Sequence, residues 1–497
     1  MRKRALIFCD AGLKEGMGHM MRSLAVAQEA QRAKWDVTLA GHWDEAATSF
    51  IRRAQPTLPT RTIRVTELDH WSRSEEASAS FQVLHLDSYR VTDDLRRAGI
   101  VISSMQDGRF GARPSDLAID ANLFGERSFE RPEASLAQLA GASAAIVRDQ
   151  VRAQRGAAGP RTGRPRILIV LGGTDPNRIT ARAAERFARI RTPLALTIVC
   201  RPDQRSAVKT ALAQSAHEVT VCSFLDDLPA VARRHDAVVS AAGTSVWDFA
   251  CMGIPMGLVC VTENQRAGYD AAVEAGLAYP LGSLAHEEDM EPFLEMLLTE
   301  STRAQVVDRL LATVDGLGAW RLVAAWDQLL DVRPSADEVK LTARTATRAD
   351  AGLLFQWRNH PKTRAFSRSQ DEVTWSQHVA WLDGVLGDAI NRQLLVIEDG
   401  DQSVGTVRWD RRSEGWEVSI TVAPIFRGRG YAVVVLAAGE AKLEAPRPTR
   451  LLATVQRDNI ASRRLFAKAG YLPHEPTDAA GFAVYSRWRF PATANPT

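Results

Sequence analysis

Cysteine is scarce in this chain: five residues among 497 (Cys9, Cys200, Cys222, Cys251 and Cys260), scattered and with no CxxC or zinc-like spacing. Four of them sit in or beside apolar runs. That usage excludes a disulfide framework and fits reduced core thiols of a cytoplasmic protein. Long hydrophobic runs are also missing, and nothing approaches the roughly 20 apolar residues of a membrane span. The opening "MRKRALIFCD" is basic, but its apolar stretch is short and closed by Asp10, unlike a signal peptide. Neither sign of charge dominates. Lys plus Arg number 62 against 59 Asp plus Glu, a net charge of +3, so nucleic-acid and membrane partners are not expected. The ten histidines form no HxxxH or HxH pair, and no DxD-like pair suits a magnesium-dependent transferase, so no metal is expected.

What remains is an ordinary globular composition, 45% hydrophobic and 24% charged, in a chain too long for one core. Three units are expected, at 1–150, 151–331 and 341–497. In the first, "RALIFCD" (4–10), "VTLAG" (37–41) and "FQVLHLDSY" (81–89) read as strands, and 19–35 as a helix. The Arg-, Gly- and Pro-rich segment 148–166 reads as a linker. The pattern then restarts with "RILIVLGG" (166–173), "LALTIVC" (194–200), "AVVSAAG" (237–243) and "MGLVCV" (256–261), and helices over 290–314 and 319–331 close the unit. These α/β repeats imply two Rossmann-like domains facing across a cleft, with strand C-termini carrying the ligand. The last region reads β–α–α–β–β–β–α–β–α–β, an α+β domain, after the polar segment 332–340.

Residues 15–23, "EGMGHMMRS", follow the first strand. Gly16 and Gly18 let backbone approach a ligand, a helix starting near His19 offers its positive end to an anion, and Arg22 lies one turn on. A purely structural glycine turn is the competing reading. The second half supplies "LGGTDPN" (171–177) with Gly173, then "SAAGTSVWDFACMGIP" (240–255), where Gly243, Thr244 and Ser245 open a helix. Asp248 sits in its first turn, suited either to a ribose diol or to simple capping. "VTENQ" (261–265) brings Asn264 and Gln265 toward sugar hydroxyls. Together these loops point to a nucleoside diphosphate held against the second domain. His85 inside an apolar strand reads as a core residue, and "HEED" (286–289) as a solvated helix start.

The pieces "DAGLKEGMGHMMRS", "LDSY", "DANLFGERS", "VLGGTDPN", "SAAGTSVWDFACMGIP" and "TENQ" make residues 1 to about 330 resemble the UDP-sugar hydrolase of pseudaminic acid biosynthesis. That family has the GT-B fold and is related to the UDP-GlcNAc transferase of lipid II synthesis. The resemblance implies metal-free release of UDP from UDP-2,4-diacetamido-2,4,6-trideoxy-β-L-altropyranose. It further implies that His19 acts on the attacking water, with Tyr89 and Asn264 near the sugar. A near-neutral histidine suits that proton transfer, and Arg22 and the helix N-termini suit the departing charge. The family commonly has Glu where this chain has Asp248.

In the last region "PIFRGRGYA" (424–432) follows a strand and opens a helix. Its Arg427, Gly428, Arg429, Gly430, Tyr431 and Ala432 form an R-x-x-G-x-A loop whose amides suit a pyrophosphate, without the GK[ST] of a P-loop. Asn459 and Ser462 begin a later helix. With "WRNHPKTRAFS" (357–367) and "WSQHVAWL" (375–382), these blocks resemble the GNAT acyl-CoA acetyltransferases over 341–490, closest to the branch holding the pseudaminic-pathway and ribosomal-protein enzymes. The resemblance implies acetyl-CoA as co-substrate. It also implies a splayed strand "SITVA" whose Val422 N–H meets the thioester carbonyl. Glu417 is the candidate base, His378 a second one better suited to packing. The tyrosine acid of many members is replaced by Phe466, leaving Tyr471, Tyr485 or unassisted thiolate release. The two resemblances name consecutive steps on a UDP-linked amino sugar. A glycosyltransferase fused to an acyltransferase, a non-catalytic nucleotide-sugar sensor, and a protein N-terminal acetyltransferase with an unrelated partner are the rival readings.

Overall fold

In the computed structural model, residues 3–12, 17–72, 74, 80–91, 94–96, 99–108, 110–128, 135–156, 163–172, 178–223, 225, 227–262, 265–284, 290–332, 334, 341–446 and 448–490 are described. The run "RALIFC" forms β1 (Arg4–Cys9), whose last five residues are all buried, as a strand covered on both faces must be. The first sheet adds β2 (Asp36–Gly41), β3 (Thr60–Thr62), β4 (Val83–Asp87), β5 (Val101–Gln106), β6 (Leu117–Asp120) and β7 (Ala137–Ala140). Its order is β3-β2-β1-β4-β5-β6-β7, parallel throughout.

The second sheet repeats the plan. It comprises β8 (Arg166–Val170), β9 (Ala195–Val199), β10 (Glu218–Cys222), β11 (Ala237–Ala241), β12 (Met256–Val259) and β13 (Tyr279–Pro280), in order β10-β9-β8-β11-β12-β13. In each sheet the order reverses beside the first strand. Loops leaving β1 and β4, and β8 and β11, therefore open at a crevice. This is the expected pair of Rossmann-like domains in a GT-B arrangement.

One helix differs from the expected boundaries. The helix Gly318–Asp331 does not close the second unit: its Leu322, Val323, Trp326 and Leu329 pack into the core of the first. An apolar stripe must be covered by whichever core it meets, and here the chain crosses back. Conversely Val147 and Val151 join the second core, so that unit begins before the Arg-rich segment.

The third sheet is mixed: β14 (Thr342–Thr345), β15 (Arg392–Asp399), β16 (Gln402–Arg412), β17 (Gly415–Val422), β18 (Thr449–Gln456), β20 (Phe482–Arg489) and β19 (Leu472–Glu475), in that spatial order. It ends in two strands where one was expected. The pair β17–β18 is parallel and matches only at Trp416↔Leu451 and Glu417↔Leu452, so the two strands part beyond Glu417. This is the expected splay of an α+β acetyltransferase domain.

The third domain is seated on the first. Buried Arg321 donates through Nε to the His474 carbonyl (2.8 Å) and through Nη1 to the Ser143 carbonyl (2.8 Å) and Asp315 (2.9 Å). Gln328 donates to the Tyr471 carbonyl at 2.6 Å, Arg450 to Ser143 Oγ at 2.9 Å, and Trp488 Nε1 to the Ala140 carbonyl at 3.2 Å. No helix among the described residues is long and apolar enough to cross a membrane.

Candidate functional sites

The helix Gly18–Arg32 leaves the β1 loop beside the end of β4. Met20 and Leu24 bury in the core, which turns His19 and Arg22 toward β4. His19 Nδ1 lies 2.6 Å from Asp87 Oδ1. Arg22 donates to both Asp87 oxygens, Nη2 at 2.8 Å and Nε at 3.1 Å, and reaches Asp107 at 3.3 Å. Burial alone would raise the Asp87 carboxyl, but the Arg22 charge and the His19 bond hold it well below the usual carboxylate range. In the neutral tautomer that carries its hydrogen on Nδ1, His19 donates to the ionised Asp87 and Nε2 keeps a lone pair; Arg22 Nη2 also lies 3.1 Å from Nδ1. Tyr89, 44% exposed, stands edge-on to the His19 ring at 4.6 Å between centroids and gives its hydroxyl to Asp107.

Arg22 has partners that the sequence did not indicate. The expectation set it toward a departing diphosphate, and the fold surrounds it with carboxylates. Its guanidinium is committed to Asp87 and Asp107, with only 11% of the side chain exposed. Asp87 closes β4 and Asp107 follows β5, so both stand where parallel strands end, a position that the sequence pattern alone does not mark as a partner of His19. Asp120, at the end of β6, similarly accepts from the Gly108 and Asn122 amides, each at 3.0 Å.

Across the crevice, Gly243 and Thr244 are exposed where β11 meets the helix Ser245–Met252, and no side chain caps that helix. A methyl group on Gly18 would lie 3.5 Å from Thr244 Cγ2, so the histidine loop and this loop face each other directly. Asp248 lies 3.5 Å from Arg148; burial pushes its carboxyl up to about 6, and Arg148 moderates the rise. Gln265 accepts from the Val261 amide at 3.2 Å, and its Nε2 is the group nearest to Gly243, leaving that amide on the loop. Gly16, Gly173 and Asn264 lie outside the described residues. His85 is a core residue bonded to Ser103 at 3.0 Å and packed on Trp326; burial lowers its imidazole to about 4.

In the third domain Gly428 (φ 76°) and Gly430 (φ 86°) shape an exposed turn leading into the helix Tyr431–Lys442, Gly430 being its N-cap. Tyr431 gives its hydroxyl to Asp399 at 2.8 Å, and Ala432 is half-buried in the first turn. Arg429 is exposed on the turn. The Arg427 guanidinium donates to the Val422 carbonyl (2.9 Å) and Thr363 Oγ1 (2.7 Å). It braces the turn. Ala423 N pairs with Val404 O at 2.9 Å, so alternation points the Val422 N–H to the parted β18 side.

Glu417 stands where β17 and β18 last touch. Its carboxylate accepts from Thr454 (2.6 Å) and Arg412 (2.8 Å); burial raises it, yet these partners leave it below its ordinary value. His378 packs among Phe355, Trp375 and Trp381 and bonds the Ala351 carbonyl. Tyr471 is no acid for the thiolate: it is fully buried and donates to Glu440 at 2.8 Å, while Phe466 and Tyr485 share its core. Asn459 caps the helix Ile460–Lys468 by accepting from Ser462 N at 3.1 Å, so its Oδ1 is occupied.

Two facing Rossmann-like sheets with opposed loops define a GT-B-like segment, and the splayed mixed sheet with its glycine turn defines a GNAT-type domain. Residues 340–472 match the family model described as Acetyltransferase (GNAT) domain. The chain is similar to three curated proteins. One is a UDP-N-acetylglucosamine–N-acetylmuramyl-(pentapeptide) pyrophosphoryl-undecaprenol N-acetylglucosamine transferase of Paramagnetospirillum magneticum, 31% identical over 145 residues, 27% of this chain and 39% of that one. Another is the spore coat polysaccharide biosynthesis protein SpsG of Bacillus subtilis, 21% identical over 291 residues, 56% and 83% of the two chains. The third is an uncharacterized protein of Methanocaldococcus jannaschii, 20% identical over 221 residues, 43% and 42%. The chain spans about two fifths of the length of the transferase and of the archaeal protein.

Proposed function

We infer that the chain is a two-site enzyme of pseudaminic acid (nonulosonate) synthesis. In this reading its third domain acetylates the 4-amino group of a UDP-4-amino-4,6-dideoxy-N-acetyl-altrosamine from acetyl-CoA. Its first two domains then hydrolyse UDP-2,4-diacetamido-2,4,6-trideoxy-β-L-altropyranose. The observation that carries the second step is the His19–Asp87 pair opposite the Thr244 loop. His19 Nε2 takes a proton from water, the water oxygen bonds to the anomeric carbon, and the bond from that carbon to the phosphate oxygen breaks. Charge arriving on UDP is met by the uncapped helix start at Ser245, and Asp87 stabilises the imidazolium. In the first step the amine attacks the thioester carbonyl and Val422 N–H stabilises the oxyanion. Glu417 receives the ammonium proton through water, and CoA leaves as the thiolate.

A glycosyltransferase reading of the first two domains is favoured by the name of the Paramagnetospirillum relative. One assay separates the two. The chain is incubated with the UDP-4-amino sugar, with and without acetyl-CoA, while free UDP and CoA are followed. Hydrolysis predicts CoA release followed by UDP release in water alone. UDP that stays attached until an acceptor sugar or lipid is added supports the transferase and sinks the hydrolase.

A further inference from the structure

His360 ends the stretch "WRNH" of the third domain and caps the short helix Pro361–Arg364. Its Nδ1 accepts from the Lys362 amide at 3.2 Å and stands 3.3 Å from Arg427 Nη1. An amide N–H and a guanidinium can only donate, so Nδ1 presents its lone pair and the ring hydrogen sits on Nε2. That Nε2–H has no hydrogen-bond partner among the described residues, and it is not buried. Capping alone does not call for an imidazole. Asn, Asp or Ser serves an N-cap better and carries no second donor at that distance.

Arg427 ties this ring to the transfer site. Its Nε donates to the Val422 carbonyl at 2.9 Å. In a strand the N–H and C=O of one residue point to the same edge, so that carbonyl shares the parted β18 side with the Val422 N–H. His360 is thus one guanidinium away from the edge that receives the thioester. The thioester sulfur is bonded to the carbon whose oxygen meets the Val422 N–H, and it becomes a thiolate when the C–S bond breaks. Phe466 has no donor for that charge, and the Tyr471 hydroxyl is given to Glu440. We propose that His360 is a catalytic residue of acetyl transfer, its Nε2–H donating a hydrogen bond to the sulfur of CoA as the thiolate leaves. The amine lone pair forms the C–N bond, the C–S electron pair goes to sulfur, and the ammonium proton goes to Glu417 through water. His360 keeps its own proton and stabilises the charge that arrives on sulfur. The proposal rests on the acetyl-transfer reading above and adds the group that serves its leaving thiolate.

The test uses the full chain. His360→Asn keeps an oxygen for the Lys362 amide, but its shorter side chain withdraws the donor from the position of Nε2. CoA release from acetyl-CoA and the UDP-4-amino sugar is expected to be about 10²-fold slower at saturation in this variant. The acetyl-CoA KM and the melting temperature are expected to change little. An equal rate in the two proteins overturns the proposal. A second arm needs no acceptor: CoA bound to each protein is titrated with base, and the carbon next to its sulfur is followed by NMR. A hydrogen bond to the charged form favours that form, so the thiol is expected to ionise about one pH unit lower in the wild type than in the variant. Ionisation at the same pH in both overturns the contact with sulfur even where the rate falls, because loss of a purely structural cap would slow turnover without moving the thiol. Absence of CoA release by the wild type with the UDP-4-amino sugar refutes the acetyl-transfer reading, while the thiol titration still decides whether His360 meets the sulfur.

Discussion

His19 and Asp87 are 68 residues apart in the chain and 2.6 Å apart in the fold, imidazole Nδ1 against carboxylate Oδ1. The contact sets the tautomer, so Asp87→Asn, which can present its amide N–H to Nδ1, permits the wrong one. UDP release is expected to fall about 10²–10⁴-fold with little change in KM and with CoA release intact. Steady-state assays of both products check it; equal loss of both activities contradicts separate sites.

Arg22 neutralises the buried Asp87 carboxylate. Arg22→Ala leaves the buried Asp87 charge with His19 as its remaining partner and is expected to cost about 3–5 kcal/mol of stability, read by urea denaturation of the full chain. Arg22→Lys restores the charge without the fork, and its loss is expected to be smaller. A variant as stable as the wild type with only a raised KM for the UDP-sugar would return Arg22 to the ligand.

Burial lowers the His85 imidazole from its ordinary value to about 4. The unfolded chain therefore binds the extra proton first. This group's contribution to stability is present above about pH 6.5 and is lost as pH falls toward 4, by on the order of 3 kcal/mol. His85→Asn is expected to be less stable at pH 7 but to have a flatter stability profile between pH 6.5 and 4. Parallel profiles for the two proteins would show that His85 does not titrate on unfolding.

Gly430 holds φ 86° at the head of the helix Tyr431–Lys442, and nothing lies within 4 Å of an added Cβ. Any cost of Gly430→Ala is thus conformational, about 1–2 kcal/mol. The expected result is a raised acetyl-CoA KM with UDP release from the already diacetylated UDP-sugar unaffected. An unchanged KM would remove this turn from the cofactor site.

Arg321 joins the crossover loop through Asp315, the first domain through Ser143 and the third through His474. Arg321→Met is expected to cost about 1–3 kcal/mol and to loosen the third domain. The signs would be a separate thermal transition and a proteolytic fragment beginning near residue 341. A single unchanged transition would show that the remaining contacts suffice.

Much of the architecture is legible in sequence because parallel strands buried on both faces must be continuously apolar. β1, β4, β8 and β11 announce themselves that way, and so do the glycine turns after them. β5 was not anticipated: "VISSMQ" carries Ser103, Ser104 and Gln106, polar groups that bury only with hydrogen-bond partners from the finished fold. The strands β6 and β7 are four residues each, too short for any period to emerge. The helix Gly318–Asp331 was readable as a helix, but an apolar stripe carries no label saying which core it covers.

By itself, the sequence determined three units, their α/β, α/β and α+β character, and the loops bearing His19, Thr244 and Gly430, because periodicity and turn chemistry are local. Only the tertiary structure decided what those residues touch. It gave His19 its carboxylate, set Arg22 against Asp87 and Asp107, bonded Arg427 to Val422 and Thr363, and sealed Tyr471 in the core. The physical reason is that hydrogen-bond partners and buried charges are set by distances of a few ångströms between residues far apart in the chain.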